Sequence, residues 1–402
     1  MDAFKIETRP GSAPQGLPRV VVYGCTPADE ARLTAQLLAE ADCAVLCPRT
    51  EESAPLPAVE LAVVAVTEAW LALPASARPL PAGVPVLPLV ERPALAKRAQ
   101  RRFGPFAAEA KWCEGVARRI PAAGAACAPV VQLAAFVCRQ LGELEMNAAN
   151  PQAGTRWYGR ELELWNKLTA AAGTPDARHR QALACLRMGD ACYAEGQMRE
   201  TQYWYRLAIS NSEKLVQQAG DERAQLCLAR CCTAMGEMFQ WNEEYSRAAA
   251  QYQKTLQILE PLAEASTSAA LQEELSVCLG RMGELCRQQD DHPGAERWLN
   301  RKLQQDERRA AQFGGDEVQL SIAEGLGRLG GVLMDLNRVA EAEAAYRRSL
   351  GAAEPLCAAG SEAAQRRWQS VCDAMADLNN RTGGWKTAQE WEEKSITGWR
   401  AR

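Results

Sequence analysis

Apolar residues recur at helical spacing through the last two-thirds of the chain. Leu256, Leu259 and Leu262, for example, fall on one face of a helix. Turn-forming residues interrupt this pattern twice in every unit of about 47 residues. The pattern therefore predicts a series of helical hairpins.

The same units carry a glycine at a fixed place. A bulky residue followed by glycine recurs every 47 residues, and a last copy with alanine follows after 46. The copies are Leu141-Gly142, Met188-Gly189, Met235-Gly236, Met282-Gly283, Leu329-Gly330 and Met375-Ala376. A long fixed period of this kind is typical of stacked-repeat proteins, which present an extended binding surface.

Glycine in a helix interior costs roughly 1 kcal/mol relative to alanine, so its repetition indicates close packing between the two helices of a hairpin. A large residue stands sixteen positions after each glycine, where we expect it to fill the space beside the next unit. These residues are Tyr158, Tyr205, Tyr252, Leu299 and Tyr346.

These columns resemble the tetratricopeptide repeat family. The third unit carries the motif most fully, in Met235, Gly236, Phe239, Ala248 and Tyr252. The family's usual period is about 34 residues, so each helix here must be longer, and HEAT-type repeats of about 40–47 residues are the alternative. The resemblance covers residues 127–402 and implies an α-solenoid of about six long hairpins that binds a protein or peptide in its concave groove.

The amino-terminal third has a different pattern. Short apolar runs at 20–23, 43–46, 61–66 and 84–90 are separated by helical or loop segments. Such runs predict a buried parallel sheet. We therefore expect a flexible tail over residues 1–18 and a small flavodoxin-like α/β domain over residues 19–123, so that the protein as a whole is mainly α.

Part of this domain is similar to a module of clostridial-type proteins that join Toll/interleukin-receptor (TIR) domains to tetratricopeptide repeats. The similar residues are 63–67, 84–89 and Phe103-Gly104. The resemblance implies a TIR-related signalling or nucleotide-processing role. However, no glutamate follows Thr67-Glu68-Ala69-Trp70 where NAD cleavage requires one, and residues 24–27 lack the glycines of a dinucleotide-binding turn. We expect a non-catalytic module.

Composition narrows the function further. The net charge of −4 does not indicate nucleic-acid binding, and the first twenty residues lack the apolar core of a signal peptide. No apolar stretch is long enough to span a membrane, and 15 cysteines without framework spacing fit a reducing cytoplasm. We expect a cytoplasmic, non-enzymatic protein without cofactor, metal, membrane or nucleic-acid partner. The sequence does not specify an oligomeric state.

Three smaller features have alternative interpretations. His179 and His292 lack the spacing of a zinc site, so we interpret them as loop residues. The pair Cys231-Cys232 could be a thiol sensor, but the repeat register favours buried packing. A basic cluster could bind an acidic partner or form a solvated helix face; it comprises Arg92, Lys97, Arg98, Arg101 and Arg102.

The predicted partner-binding groove follows from the register. The residue after each glycine is acidic in five of six units, and three residues further on lie side chains that we expect on the same face. The candidate groove residues are Glu143, Asp190, Glu237, Glu284, Asp377, Met146, Tyr193, Gln240, Arg287 and Asn380. A negative groove would suit a basic or amphipathic peptide. Alternatively, the carboxylates pair with Arg187, Arg281 and Arg328.

Overall fold

A computed structural model describes residues 4–7, 18–23, 27–40, 43–48, 61–66, 85–90, 95–103, 106–123 and 128–398. The chain forms two compact units, Met1–Gly220 and Asp221–Arg402. The first unit contains the α/β region and two helical hairpins, and the second contains four hairpins. The predicted boundary near residues 123–127 lies inside the first unit, so the division into domains stays a prediction.

The first unit begins with a five-stranded sheet. Its strands are β1 (Phe4–Glu7), β2 (Arg19–Tyr23), β3 (Ala44–Pro48), β4 (Leu61–Val66) and β5 (Val86–Val90). The spatial order is β1-β3-β2-β4-β5, and the last four strands are parallel. Taken alone, the parallel strands follow the flavodoxin-like order 2-1-3-4, which confirms the predicted fold.

Strand β1 differs from the expectation for residues 1–18. It pairs antiparallel with β3 and places Phe4 opposite Pro48, so part of the segment expected as a tail is an edge strand. A four-residue strand bounded by polar, proline-rich sequence carries too little periodicity to be recognised from sequence.

Three helices accompany the sheet: α1 (Pro27–Glu40), α2 (Ala96–Phe103) and α3 (Ala107–Ala123). The side chains of Val20, Val22 and Val63 are fully buried in this layer. Helix α3 also holds the sheet directly, since the backbone N–H of Val86 donates to Oε1 of Glu109 at 2.8 Å. On its other side α3 packs against the first hairpin of the same unit.

The hairpins follow the predicted register closely. They are α4 (Ala128–Asn147) with α5 (Pro151–Ala172), α6 (Pro175–Ala194) with α7 (Met198–Ala219), α8 (Glu222–Trp241) with α9 (Tyr245–Ala265), α10 (Ala269–Gln288) with α11 (His292–Phe313), α12 (Asp316–Asp335) with α13 (Val339–Ala358), and α14 (Glu362–Arg381) with α15 (Trp385–Thr397). Within each unit, the second helix of one hairpin packs on the first helix of the next. The fold is therefore a tetratricopeptide-like α-solenoid preceded by a small α/β region.

The turn inside every hairpin has the same backbone conformation. One residue, recurring every 46 or 47 positions, has a φ between 57° and 81°. These residues are Ala149, Gly196, Glu243, Asp290, Asn337 and Gly383. The two glycines, Asp290 and Asn337 favour this region locally, but Ala149 and Glu243 do not, so tertiary packing also holds the turn.

The glycine column lies beneath an aromatic ring. A methyl carbon placed on Gly236 would lie 2.6 Å from Cε1 of Tyr252, far inside van der Waals contact. Gly142, Gly189 and Gly330 meet the tyrosines of their own hairpins in the same way. The tyrosine therefore packs onto the glycine of its own hairpin, whereas the sequence led us to place it beside the next unit.

The two exceptions in this column follow the same steric rule. In the fourth hairpin the ring is replaced by Leu299, and a methyl carbon on Gly283 would lie 3.0 Å from its Cγ, a looser contact. In the sixth, the position sixteen residues after Ala376 is Glu392, which is exposed. Alanine is tolerated where no ring needs the space.

Helix α11 contains a buried ionic network. The carboxylate of Asp306 is fully buried and accepts hydrogen bonds from Lys302, from Arg309 Nη1 at 3.0 Å and from Ser321 Oγ at 2.8 Å. Ser276 on α10 is a further donor. Burial alone would raise the pKa of Asp306, but Lys302 and the serine hydroxyls outweigh it and lower that pKa. The network links three helices of the second unit through one charge.

We predict that Gly142→Ala destabilises the protein by about 1–3 kcal/mol, because the new methyl group overlaps the ring of Tyr158. Chemical unfolding followed by circular dichroism measures this. The matched control is Gly159→Ala in the same hairpin, where a methyl group meets no atom within 4 Å. That change should stabilise by about 0.5–1 kcal/mol. Equal effects of the two substitutions would contradict the packing account.

We predict that Asp306→Leu costs about 3–5 kcal/mol, because it leaves the buried Lys302 and Arg309 without a counter-ion. The triple variant Lys302→Thr, Asp306→Leu, Arg309→Leu introduces the residues that α9 carries at matching positions. It should recover most of that loss, as measured by urea unfolding.

The wild type and the triple variant also provide a pH test. The folded pKa of Asp306 is depressed, so its stabilising contribution is complete at neutral pH and is lost as the pH falls below about 4. The wild type should therefore lose more stability between pH 6 and pH 3 than the triple variant. If Asp306→Leu alone cost no more stability than the triple variant, the charges would not be coupled. Identical acid profiles of the wild type and the triple variant would show the same.

Candidate functional site

In the first unit, the predicted groove residues engage neighbours within their own hairpins. The hydroxyl of Tyr205 donates to Oδ1 of Asp190 at 2.7 Å, so this carboxylate anchors the ring that covers Gly189. Glu143 accepts from Gln140 at 3.1 Å, and burial raises its pKa. Met146 packs over Gly154, and Tyr193 is half-buried.

In the second unit, two predicted groove residues connect first helices of successive hairpins. Glu237 on α8 forms an ion pair with Arg281 on α10 at 2.6 Å. Gln240 donates to Oε1 of Gln288 at 2.8 Å and accepts from the Tyr252 hydroxyl at 2.7 Å. These side chains fix the spacing of neighbouring layers, so the alternative of arginine pairing holds for Glu237.

The other arginines pair elsewhere. Arg187 binds Glu161 on α5, with Nε 3.0 Å from Oε2, and Arg328 binds Glu324 at 2.5 Å. Arg287 forms a bidentate ion pair with Glu284 of its own helix. Its Nη2 donates to Oε1 at 2.6 Å and its Nε donates to Oε2 at 3.1 Å.

A cleft of about 350 Å³ lies over the last three hairpins of the second unit. It spans the first helices α10, α12 and α14 and brings together three predicted residues, Glu284, Arg287 and Asp377. Gly331, the one position of the acidic column without a carboxylate, is part of its lining. A methyl carbon on Gly331 would have its nearest neighbour, the Tyr346 hydroxyl, 3.9 Å away. The missing side chain therefore opens the cleft.

The cleft carries charges of both signs. Three carboxylates and three guanidinium groups line it, together with Met334, Leu378 and Tyr346. The charged residues are Glu284, Asp335, Asp377, Arg287, Arg328 and Arg381. The lining is thus balanced, whereas the acidic column alone predicted a negative surface.

The free charges of the cleft are on α14. Within the described part of the chain, neither Asp377 nor Arg381 forms an ion pair, and Asp377 is exposed. Tyr346 lies between them and Asp335; burial, reinforced by Asp335, raises its pKa to about 12, so its hydroxyl stays protonated and can donate. Asn380 faces Glu392 at 3.4 Å and is not part of the lining.

Sequence reasoning missed Arg328, Asp335, Tyr346 and Arg381 as lining residues. The register contains a signal for two of them, because Asp335 and Arg381 both stand five residues after the glycine column. Each therefore stands four residues, just over one helical turn, after the acidic column and borders the same face as that column.

The cysteine pair and the basic cluster lie on different helices. Cys231 and Cys232 are fully buried on α8, which favours packing over a reactive thiol pair. Lys97, Arg98 and Arg101 are exposed on α2, and Arg92 lies outside the described residues.

His292 lies 3.8 Å from Asp335, and no group of three metal-ligating side chains occurs in the described ranges. None of the described helices is long and apolar enough to cross a membrane.

Comparison with known proteins supports the fold. No protein family and no curated protein matches the sequence. Among solved structures, BtubC (BKLC) from P. vanneervenii is similar over 63% of this chain and 94% of that chain, with a TM-score of 0.51 and 14% identity. Its identity is too low to indicate more than a shared fold.

Two further solved structures are more distant. Aspartyl phosphate phosphatase F from Bacillus subtilis has a TM-score of 0.45 and 12% identity over 67% of this chain and 70% of that chain. The putative kinesin light chain TPR-like repeats of Podosopora anserina give 0.41 and 11% over 54% and 93%. The TIR resemblance stays a prediction, since Thr67 and residues 24–26 lie outside the described residues.

We predict that Tyr205→Phe lowers stability by about 1 kcal/mol, because a part-buried hydrogen bond to Asp190 is lost. Asp190→Asn keeps an acceptor oxygen and should have a smaller effect. Thermal unfolding of the two variants measures the difference. If Asp190→Asn were the more damaging change, the negative charge rather than the hydrogen bond would be what matters.

Proposed function

We propose that this protein is a non-enzymatic interaction scaffold that binds a protein or peptide in the cleft formed by α10, α12 and α14. The observation that carries the proposal is the gap at Gly331, where three successive first helices expose charged and apolar side chains together. A volume of about 350 Å³ accommodates a few side chains of a bound segment.

The lining specifies the partner's chemistry. Asp377 and Arg381, without ion-pair partners among the described residues, offer one charge of each sign, while the half-buried Met334 and Ala374 offer apolar contact. A peptide that presents a basic and an acidic side chain around an apolar one would satisfy all four. This refines the basic or amphipathic partner expected from the acidic column.

The side chains that line the cleft are suited to binding a segment and not to catalysing a reaction. Glu284 and Arg287 neutralise each other, and the Tyr346 hydroxyl, with its raised pKa, is a hydrogen-bond donor and a poor nucleophile at neutral pH. Fixed charges beside apolar side chains give specificity to a bound segment.

The test uses partners captured from source cells on the immobilised full-length protein and then purified. Asp377→Asn combined with Arg381→Gln should weaken a captured partner about tenfold or more, since two charge contacts are lost. The matched control is Glu362→Gln with Arg366→Gln, an exposed pair on the same helix. Both variants change the charge equally, so equal affinities would refute the proposed site.

A further inference from the structure

Helix α11 departs from the repeat register at its buried positions. Arg309 stands where the other second helices of comparable length have Leu168, Leu215, Leu262 and Leu356. Gln305 stands where the same helices have Leu164, Asn211, Ile258 and Ala352, three of them apolar, and both Gln305 and Arg309 are buried. Buried polar groups carry a desolvation cost, so a helix that collects them departs from what stacking alone requires.

A second cleft lies beside this helix. It has a volume of about 300 Å³ and lies between the second helices α9 and α11, with α10 contributing part of the lining. Glu260 and Glu264 on α9 face Arg301 and Arg308 on α11. None of its lining residues belongs to the cleft around Gly331.

Two buried amides line the cleft. Gln272 donates to the backbone oxygens of Ala263 and Ser266, at 2.9 and 3.1 Å, and accepts a hydrogen bond from Gln305. Gln305 is only 7% exposed, and its side-chain oxygen accepts no hydrogen bond from the described residues. The amide oxygen of a largely buried residue, where it is open toward a cleft, is suited to an N–H donor of a ligand.

An ion pair joins the two walls of the cleft at one end. Arg301 donates to Glu260 across the two walls at 2.6 Å. At the other end, Glu264 and Arg308 are exposed, and neither has an ion pair within the described part of the chain. The open end therefore offers one carboxylate and one guanidinium group on opposite walls.

We propose that this outer cleft is a second binding site, independent of the first, for an extended peptide segment. A backbone N–H of the segment would donate to Gln305, a basic side chain would pair with Glu264, and an acidic side chain would pair with Arg308. The two glutamates on α9 disfavour a phosphate backbone, and opposed charges on the two walls favour a ligand that carries both signs.

The probe is a set of fluorescein-labelled alanine–serine nonapeptides with one lysine and one aspartate, in both orders and at spacings of one to five residues. Fluorescence anisotropy measures binding to the full-length protein. We expect one order and spacing to bind best, and Gln305→Leu to weaken that peptide at least tenfold at a temperature where its melting curve shows that the variant is folded.

Exposed charges provide a variant that does not disturb the core. Glu264→Arg with Arg308→Glu should reverse the preferred order of lysine and aspartate. Asp377→Asn with Arg381→Gln should leave binding unchanged, which separates this site from the cleft around Gly331. Binding by no peptide of the set, affinities unaffected by the charge exchange, or equally tight binding of free lysine and aspartate would overturn the proposal.

Discussion

The contact between a tyrosine ring and a glycine determines the geometry of the hairpins. In four hairpins the ring occupies the place of a side chain on the partner helix, so the two helices are fixed in distance and in register along their axes. Because the glycine and the ring are sixteen residues apart across one turn, this contact also constrains the turn, whose αL residue recurs at the same position. Each hairpin is thereby a nearly identical block.

Repetition of the block brings equivalent side chains onto one face, and departures from repetition create the sites. Where Gly331 replaces a carboxylate, the face opens into a cleft bordered by Asp377 and Arg381, which form no ion pair with any residue that the structure describes. Where α11 replaces buried leucines by polar side chains, a second cleft forms beside Gln305. The positions that follow the repeat stabilise the solenoid, and the positions that depart from it line the two clefts.

The sequence predicts the regular part well. Glycine spacing located all six hairpins, and four apolar runs located the parallel strands and their flavodoxin-like order. It could not predict the cleft. Whether Glu237 is free depends on Arg281 one layer away, and whether Arg328 pairs with a groove carboxylate or with Glu324 depends on side-chain geometry that no spacing fixes. The polar residues of α11 are visible in the register, but only when buried columns are compared, since they resemble an ordinary solvated helix face.

A ring covers the glycine in hairpins one, two, three and five but not in hairpin four. Nuclear magnetic resonance of glycine-labelled protein tests this difference through the Hα chemical shifts. We expect ring-current displacements for Gly142, Gly189, Gly236 and Gly330 and an ordinary helical value for Gly283, which faces Leu299. Five similar, undisplaced shifts would contradict it.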